Sequence, residues 1–203
     1  MGRVERVLES DLYIACLILT GRRALVVGTG PMADEKAQAL EACGAEVTRV
    51  DPDGYEAGLL DDKLLVVATT GDGELSGDIA AAAEERSMLV NVADVPRLCN
   101  FILPAISRKP PLTVAISTAG ASPALAKRMK REVEAMFGSS YVRLAELLDE
   151  LRPWAKENLD SYEARRDFFE SIVNGEPDPI ALVKEGREED LVALIERAKE
   201  KAS

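Results

Sequence analysis

The feature that most constrains this chain is a short turn, Gly28-Thr29-Gly30-Pro31-Met32-Ala33, set between an apolar run and a stretch of helical spacing. Upstream, ALVVG (24–28) is β-branched and apolar throughout, the mark of a strand buried on both faces. Downstream, Ala33, Ala37 and Leu40 recur at helical intervals through Ala42, and Gly44 closes the segment. The spacing is G-x-G-x-x-A at a strand-to-helix junction, the context a dinucleotide fingerprint requires. Gly28 permits the tight turn, Gly30 lets a pyrophosphate approach the backbone, and Ala33 lets the helix pack closely on the sheet. The helix start adds unpaired N–H groups and a positive dipole end.

EVTRV (46–50) predicts a second strand, with Asp51 at its end, 23 residues after Gly28. A carboxylate there accepts hydrogen bonds from the ribose hydroxyls and repels a 2′-phosphate, which predicts NAD rather than NADP. LLVVA (64–68) and MLVNV (88–92) predict two more strands, with an alanine-rich helix at 78–86 between them. The fold class expected is α/β, with a Rossmann-like parallel sheet covered on both faces. After Asp94 the texture changes. FILPAI (101–106) and LTVAIS (112–117) read as two further strands joined by a turn over Ser107–Pro111. Ser122 before Pro123 is a helix start, and Leu125, Met129, Val133 and Met136 form that helix's apolar stripe. From Tyr141 the pattern is charged and helical, broken at Pro153 and at 174–179. Three parts follow: a nucleotide-binding domain over 1–103, a small mixed segment over 104–140 and a helical region over 141–203.

Composition narrows the chemistry. The chain of 203 residues contains no histidine, which excludes a Ser-His-Asp triad, a histidine base and any His-containing metal cluster. Three scattered cysteines (Cys16, Cys43, Cys99) form no zinc spacing, so no metal site is expected, and they suit a reducing cytoplasm. No apolar run approaches a bilayer span and the start has no signal-peptide core, so no membrane association is expected. A net charge of −11 argues against a nucleic-acid partner. That charge is uneven. Residues 1–94 hold 8 basic and 18 acidic side chains, 95–131 hold seven basic and no acidic ones, and 132–203 hold 10 and 18. The middle block is either a solvated compensating face or a surface that attracts a polyanionic small molecule.

Ligands of parallel α/β sheets gather at the carboxyl ends of strands. Asp94 lies just past the fourth strand and is the natural carboxylate for proton abstraction in a chain without histidine. The same residue is equally suited to a turn ahead of Val95-Pro96. Asp72, after the third strand, reads as a turn residue. Ser117, Thr118 and Ser122, around Gly120, are turn formers or ligands of phosphate and carboxylate.

The segments GRRALVVGTGPMADEKAQALEACGAEVT (21–48), VVATT (66–70), LVNVADVPRLCNFILPAISRKPPLTVAISTAGASPALAKRMKREVE (89–134) and ARRDFFE (164–170) together resemble the precorrin-2 dehydrogenase module of siroheme synthases. The resemblance implies an NAD-dependent oxidation of precorrin-2 to sirohydrochlorin by a homodimer, with 104–140 as its dimerisation segment. It carries the cofactor contacts to Gly28, Thr29, Gly30, Pro31, Met32 and Ala33, to Asp51, Pro52 and Asp53, and to Thr69. It makes Asp94 the catalytic aspartate, which in several members also serves ferrous-iron insertion. A serine phosphorylated in some fused members falls at Thr118. The segment between the second and third strands is shorter than the family's, which predicts a missing sheet strand. No methyltransferase domain is expected to follow, and methylation of the ring is expected from another protein.

A polycarboxylate substrate gives the basic block a partner. Arg108, Lys109, Lys127 and Arg128 are expected to pair with its carboxylates, with Ser117, Thr118 and Ser122 nearby. Two alternatives stand beside this reading: a bifunctional dehydrogenase and ferrochelatase, and a non-catalytic NAD-sensing module.

Overall fold

The computed structural model describes residues 12–202. Its first part is a parallel four-stranded sheet in the order β2-β1-β3-β4, built from β1 (Arg23–Gly28), β2 (Glu46–Val50), β3 (Leu65–Thr69) and β4 (Leu89–Val92). Helix α1 (Gly30–Glu41) links β1 to β2, and α2 (Gly73–Glu85) links β3 to β4. Two 3₁₀ turns, Pro52–Gly54 and Ala57–Leu60, fill the short passage from β2 to β3, and no strand forms there. The central strands are buried on both faces because their alternate residues feed two cores. Leu25, Val27, Val66 and Ala68 pack with Ile79, Ala80 and Ala83 of α2. Ala24, Val26, Leu65 and Val67 pack with Ala33 and Ala37 of α1. The small alanines let α1 lie close to the strands, as the spacing implies. Each fully buried branched side chain contributes about 1.5–3 kcal/mol.

Helix α2 begins five residues before the alanine-rich stretch that announces it. Asp72 is its N-cap, its carboxylate accepting the Glu74 and Leu75 N–H groups at 2.8 and 3.2 Å. The cap compensates for two glycines, Gly73 and Gly77, that weaken the propensity signal over this turn.

The chain divides into two compact units, one running to Leu103 with Ala119–Ala121, the other comprising Pro104–Thr118 and Ser122 onward. In the second unit β5 (Ala105–Lys109) and β6 (Leu112–Ile116) form an antiparallel hairpin packed against α3 (Pro123–Met136). The expected strand over 101–106 and turn over 107–111 are therefore displaced. Lys109 pairs with Leu112, the turn shrinks to Pro110-Pro111, and Ser107 is a buried strand residue. Proline cannot donate to a ladder, so Pro104 falls just ahead of β5. Helices α4 (Ser139–Glu150), α5 (Arg152–Asn158), α6 (Tyr162–Val173), α7 (Pro179–Glu185) and α8 (Glu188–Ala202) enclose a core of Phe168, Ile172, Leu182, Leu194 and Ile195. Trp154 stacks at 5.0 Å on Phe168 and carries the Lys199 ammonium 5.4 Å above its ring.

Candidate functional site at the carboxyl edge of the sheet

Gly28 ends β1 in register with Thr69 of β3. Its φ is +151°, and a Cβ there would fall on Thr69 Oγ1 and lie 2.9 Å from the Thr69 carbonyl oxygen. Gly30 has φ +77°, and a Cβ there would meet nothing within 4 Å. Backbone conformation alone demands the second glycine, and the space over it is open to an approaching group. Thr29 caps α1 in extended conformation with no side-chain hydrogen bond, Pro31 has no N–H, and the first turn holds no acid. The early N–H groups of α1 are left to an external acceptor, the arrangement that binds phosphate. Thr69 Oγ1 is buried beside Gly28 without a hydrogen-bond partner among the described residues. These residues fit a dinucleotide.

Asp51 follows β2, directly beside β1 in the sheet. It is exposed, extended at φ −70°, and its carboxylate makes no cap hydrogen bond to the turn it opens. Asp53 is also exposed, whereas Pro52 is half-buried. Arg49, two residues earlier, is held by Asp34 of α1 at 3.1 Å and faces Glu41 at 3.9 Å, which fastens the end of β2 to α1.

Asp94 stands at the same edge of the sheet, just beyond β4. The ladder runs on to Ala93, whose N–H donates to Ala68 at 2.9 Å, and the chain then turns at Asp94 with φ +59°. Asp is one of the few non-glycine residues that adopts this region readily. The side chain is exposed and uncommitted among the described residues. Asn91, Cys99 and Asn100, to which the sequence reasoning gave no role, bind the backbone around it. Their signal was present in the N-V-x-D…C-N-F pattern, but spacing alone says nothing of hydrogen bonds made across a turn. Tyr55 was also missed: its hydroxyl is buried without a partner among the described residues, and burial pushes its pKa up.

The remaining candidates lie in the second unit. Lys109 is not the free ammonium expected. Its Nζ donates to the Glu134 and Phe137 carbonyls at 2.9 and 3.1 Å, closing the C-terminus of α3, where a cation is favoured. Arg128 pairs with Glu132 one turn on at 2.8 Å, and Lys127 and Arg108 are exposed. Thr118 Oγ1 accepts the Ser122 N–H at 3.1 Å, and Ser122 Oγ accepts the Leu125 N–H at 3.2 Å as the cap of α3. Both hydroxyls thus form the turn, and each retains a proton to donate. Ser117 is exposed beside them. Of the expected apolar stripe of α3, Leu125, Met129 and Met136 are 49%, 40% and 67% exposed, and Val133 is half-buried.

Three family models tile the chain. One described as NAD(P)-binding matches residues 15–105, the sirohaem biosynthesis protein central model matches 110–136, and the sirohaem synthase dimerisation region matches 140–198. A siroheme synthase of Thioalkalivibrio sulfidiphilus is 33% identical across 94% of this chain and 42% of its own length. That of Pseudomonas entomophila is 36% identical across 89% of this chain and 43% of its own. The chain is thus similar to siroheme synthases along nearly its whole length. It spans about two fifths of the length of those relatives. A solved structure titled SirC, precorrin-2 dehydrogenase, is 26% identical, covers 92% of this chain and 100% of its own, and superposes with a TM-score of 0.72. The first unit is accordingly a Rossmann-like domain for a nicotinamide dinucleotide. No helix among the described residues is long and apolar enough to cross a membrane.

Proposed function

We propose that this chain is an NAD-dependent precorrin-2 dehydrogenase that oxidises precorrin-2 to sirohydrochlorin. The observation that carries the reading is one sheet edge holding both the glycine turn at Gly28–Ala33 and the uncommitted carboxylate of Asp94. The bound nicotinamide supplies the hydride acceptor; the chain's own residues do the rest. The substrate loses one hydride and one proton, and with histidine absent the proton falls to Asp94, directly or through water. The N-terminus of α1 holds the pyrophosphate, with Pro31, Met32 and Thr69 around it. The end of β2 at Asp51–Asp53 holds the adenosine ribose, and Asp51 selects NAD over NADP by repelling a 2′-phosphate.

Arg108, Lys127 and Arg128, with the hydroxyls of Ser117, Thr118 and Ser122, receive the carboxylates of the tetrapyrrole. Lys109 supports them by tying the hairpin to α3. Two copies assemble through the exposed stripe of α3 and the helical region; the dimerisation-region match over 140–198 supports the second of these. The three-part organisation over 1–103, 104–140 and 141–203 and a cytoplasmic location belong to the same proposal. Asp94→Asn tests it: turnover is expected to fall about 100-fold or more, with NAD affinity unaltered. An unaltered rate would remove Asp94 from the chemistry.

A further inference from the structure

The turn that carries Asp94 is held from one side by a single thiol. Val92 ends β4, and the Val95 N–H donates back to its carbonyl at 3.3 Å, enclosing Ala93 and Asp94. The Cys99 sulfur accepts the Val92 N–H at 3.2 Å. Its S–H faces the Val92 carbonyl at 3.3 Å and the Val95 carbonyl at 3.5 Å. One side chain therefore grips the backbone before and after Asp94. The thiol is itself anchored. Asn91 Nδ2 donates to the sulfur at 3.7 Å and to the Phe101 carbonyl at 3.0 Å.

Asn100 pairs with the open edge of β4 as another strand would. Its Oδ1 accepts the Val90 N–H at 2.8 Å, its Nδ2 donates to the Met88 carbonyl at 2.8 Å, and its own N–H donates to the Val90 carbonyl at 3.0 Å. Because β4 is an edge strand of the sheet, those groups have no strand partner on that side among the described residues. Burial pushes the Cys99 thiol pKa up, so the proton that makes it a donor is retained. Asp94 itself sits at φ +59°, where a non-glycine residue depends on its surroundings to stay in place.

We propose that Cys99 is a positioning residue for Asp94, its thiol fixing both ends of the Val92–Val95 turn so that the carboxylate meets the substrate's departing proton. The proposal rests on the reading of Asp94 as proton acceptor. Misplacement of a catalytic group by about 1 Å costs on the order of 100-fold, so loosening this turn acts on kcat and leaves binding of both ligands intact.

Cys99→Ala and Cys99→Val each delete the donor and the acceptor, the first with a loss of volume and the second with a gain, and either one that folds serves. Wild type, Cys99→Ala, Cys99→Val, Asp94→Asn and the Cys99–Asp94 double variants are assayed anaerobically for NADH formation from precorrin-2. Expected is a kcat loss on the order of tenfold in the cysteine variants, with KM for precorrin-2 and Kd for NAD unaltered. In the Asp94→Asn background the cysteine change should cost nothing further, because its effect runs through the carboxylate. An equal loss in both backgrounds marks Cys99 as merely structural and overturns the proposal. So does a wild-type rate in the cysteine variants beside a slow Asp94→Asn. A wild-type rate in Asp94→Asn removes the carboxylate reading and the proposal with it.

Discussion

Single residues in this chain are legible to different degrees because different physics fixes them. Gly28 and Gly30 announce themselves, since a positive φ and a close approach to Thr69 leave no other choice of residue. Asp94 announces itself by place, at the end of a strand, but its left-handed backbone and the Cys99 grip depend on bonds that span four to seven residues. Tyr55 gives no sequence signal at all. Its hydroxyl is buried with no partner among the described residues, and desolvation is the main cause of its raised pKa, which the nearby Arg86 opposes. Below about pH 10 the phenol is neutral in the folded and unfolded chain alike. As pH rises past that, the unfolded chain loses the proton first, so stability present below the unfolded pKa declines as pH climbs through the folded one. Tyr55→Phe removes both this loss and a buried hydroxyl without a partner, so its urea midpoint should exceed wild type and the gap should widen between about pH 9 and 11. A midpoint gap that stays constant over that range would contradict the burial effect.

Elements follow the same division. The strands of the parallel sheet are apolar on both faces, so their positions within the sequence are plain. The start of α2 is less plain because glycines precede its alanines, and the information sits in Asp72, whose cap is a three-dimensional act. The hairpin β5–β6 was displaced because apolar Phe101–Leu103 looks like strand, yet the carbonyl of Phe101 is engaged by Asn91 and pairing begins only after Pro104. At the end of β2 the element and the site coincide. Asp51 makes no cap hydrogen bond, so Asp51→Ala should leave folding intact while weakening NAD binding at least about tenfold and NADP binding much less, as calorimetric titration would record. Equal losses for the two cofactors would contradict the ribose assignment.

At the scale of the whole molecule, charge and apolar surface are the variables that matter. The acid-free block at 95–131 lies within an otherwise strongly acidic chain, and its exposed cations Lys127 and Arg128 sit on α3. Arg128 already holds Glu132, a surface pair of small consequence for stability. Lys127→Glu with Arg128→Glu should therefore raise KM for precorrin-2 by about tenfold or more without altering Kd for NAD. Insensitivity of KM would return the block to plain solubility. The exposed methionines of the same helix bear on the proposed dimer: Met129→Asp with Met136→Asp should shift it to monomer in sedimentation analysis, and an unaltered dimer would place the interface elsewhere. The most direct measurement is anaerobic incubation of the chain with precorrin-2 and NAD, followed by absorbance of sirohydrochlorin and NADH, with Asp94→Asn in parallel and ferrous ion in a separate arm. The expected result is stoichiometric NADH and sirohydrochlorin without metal, and loss of both in Asp94→Asn; cofactor binding with no conversion of precorrin-2 in any arm would contradict a dehydrogenase and leave a nucleotide sensor.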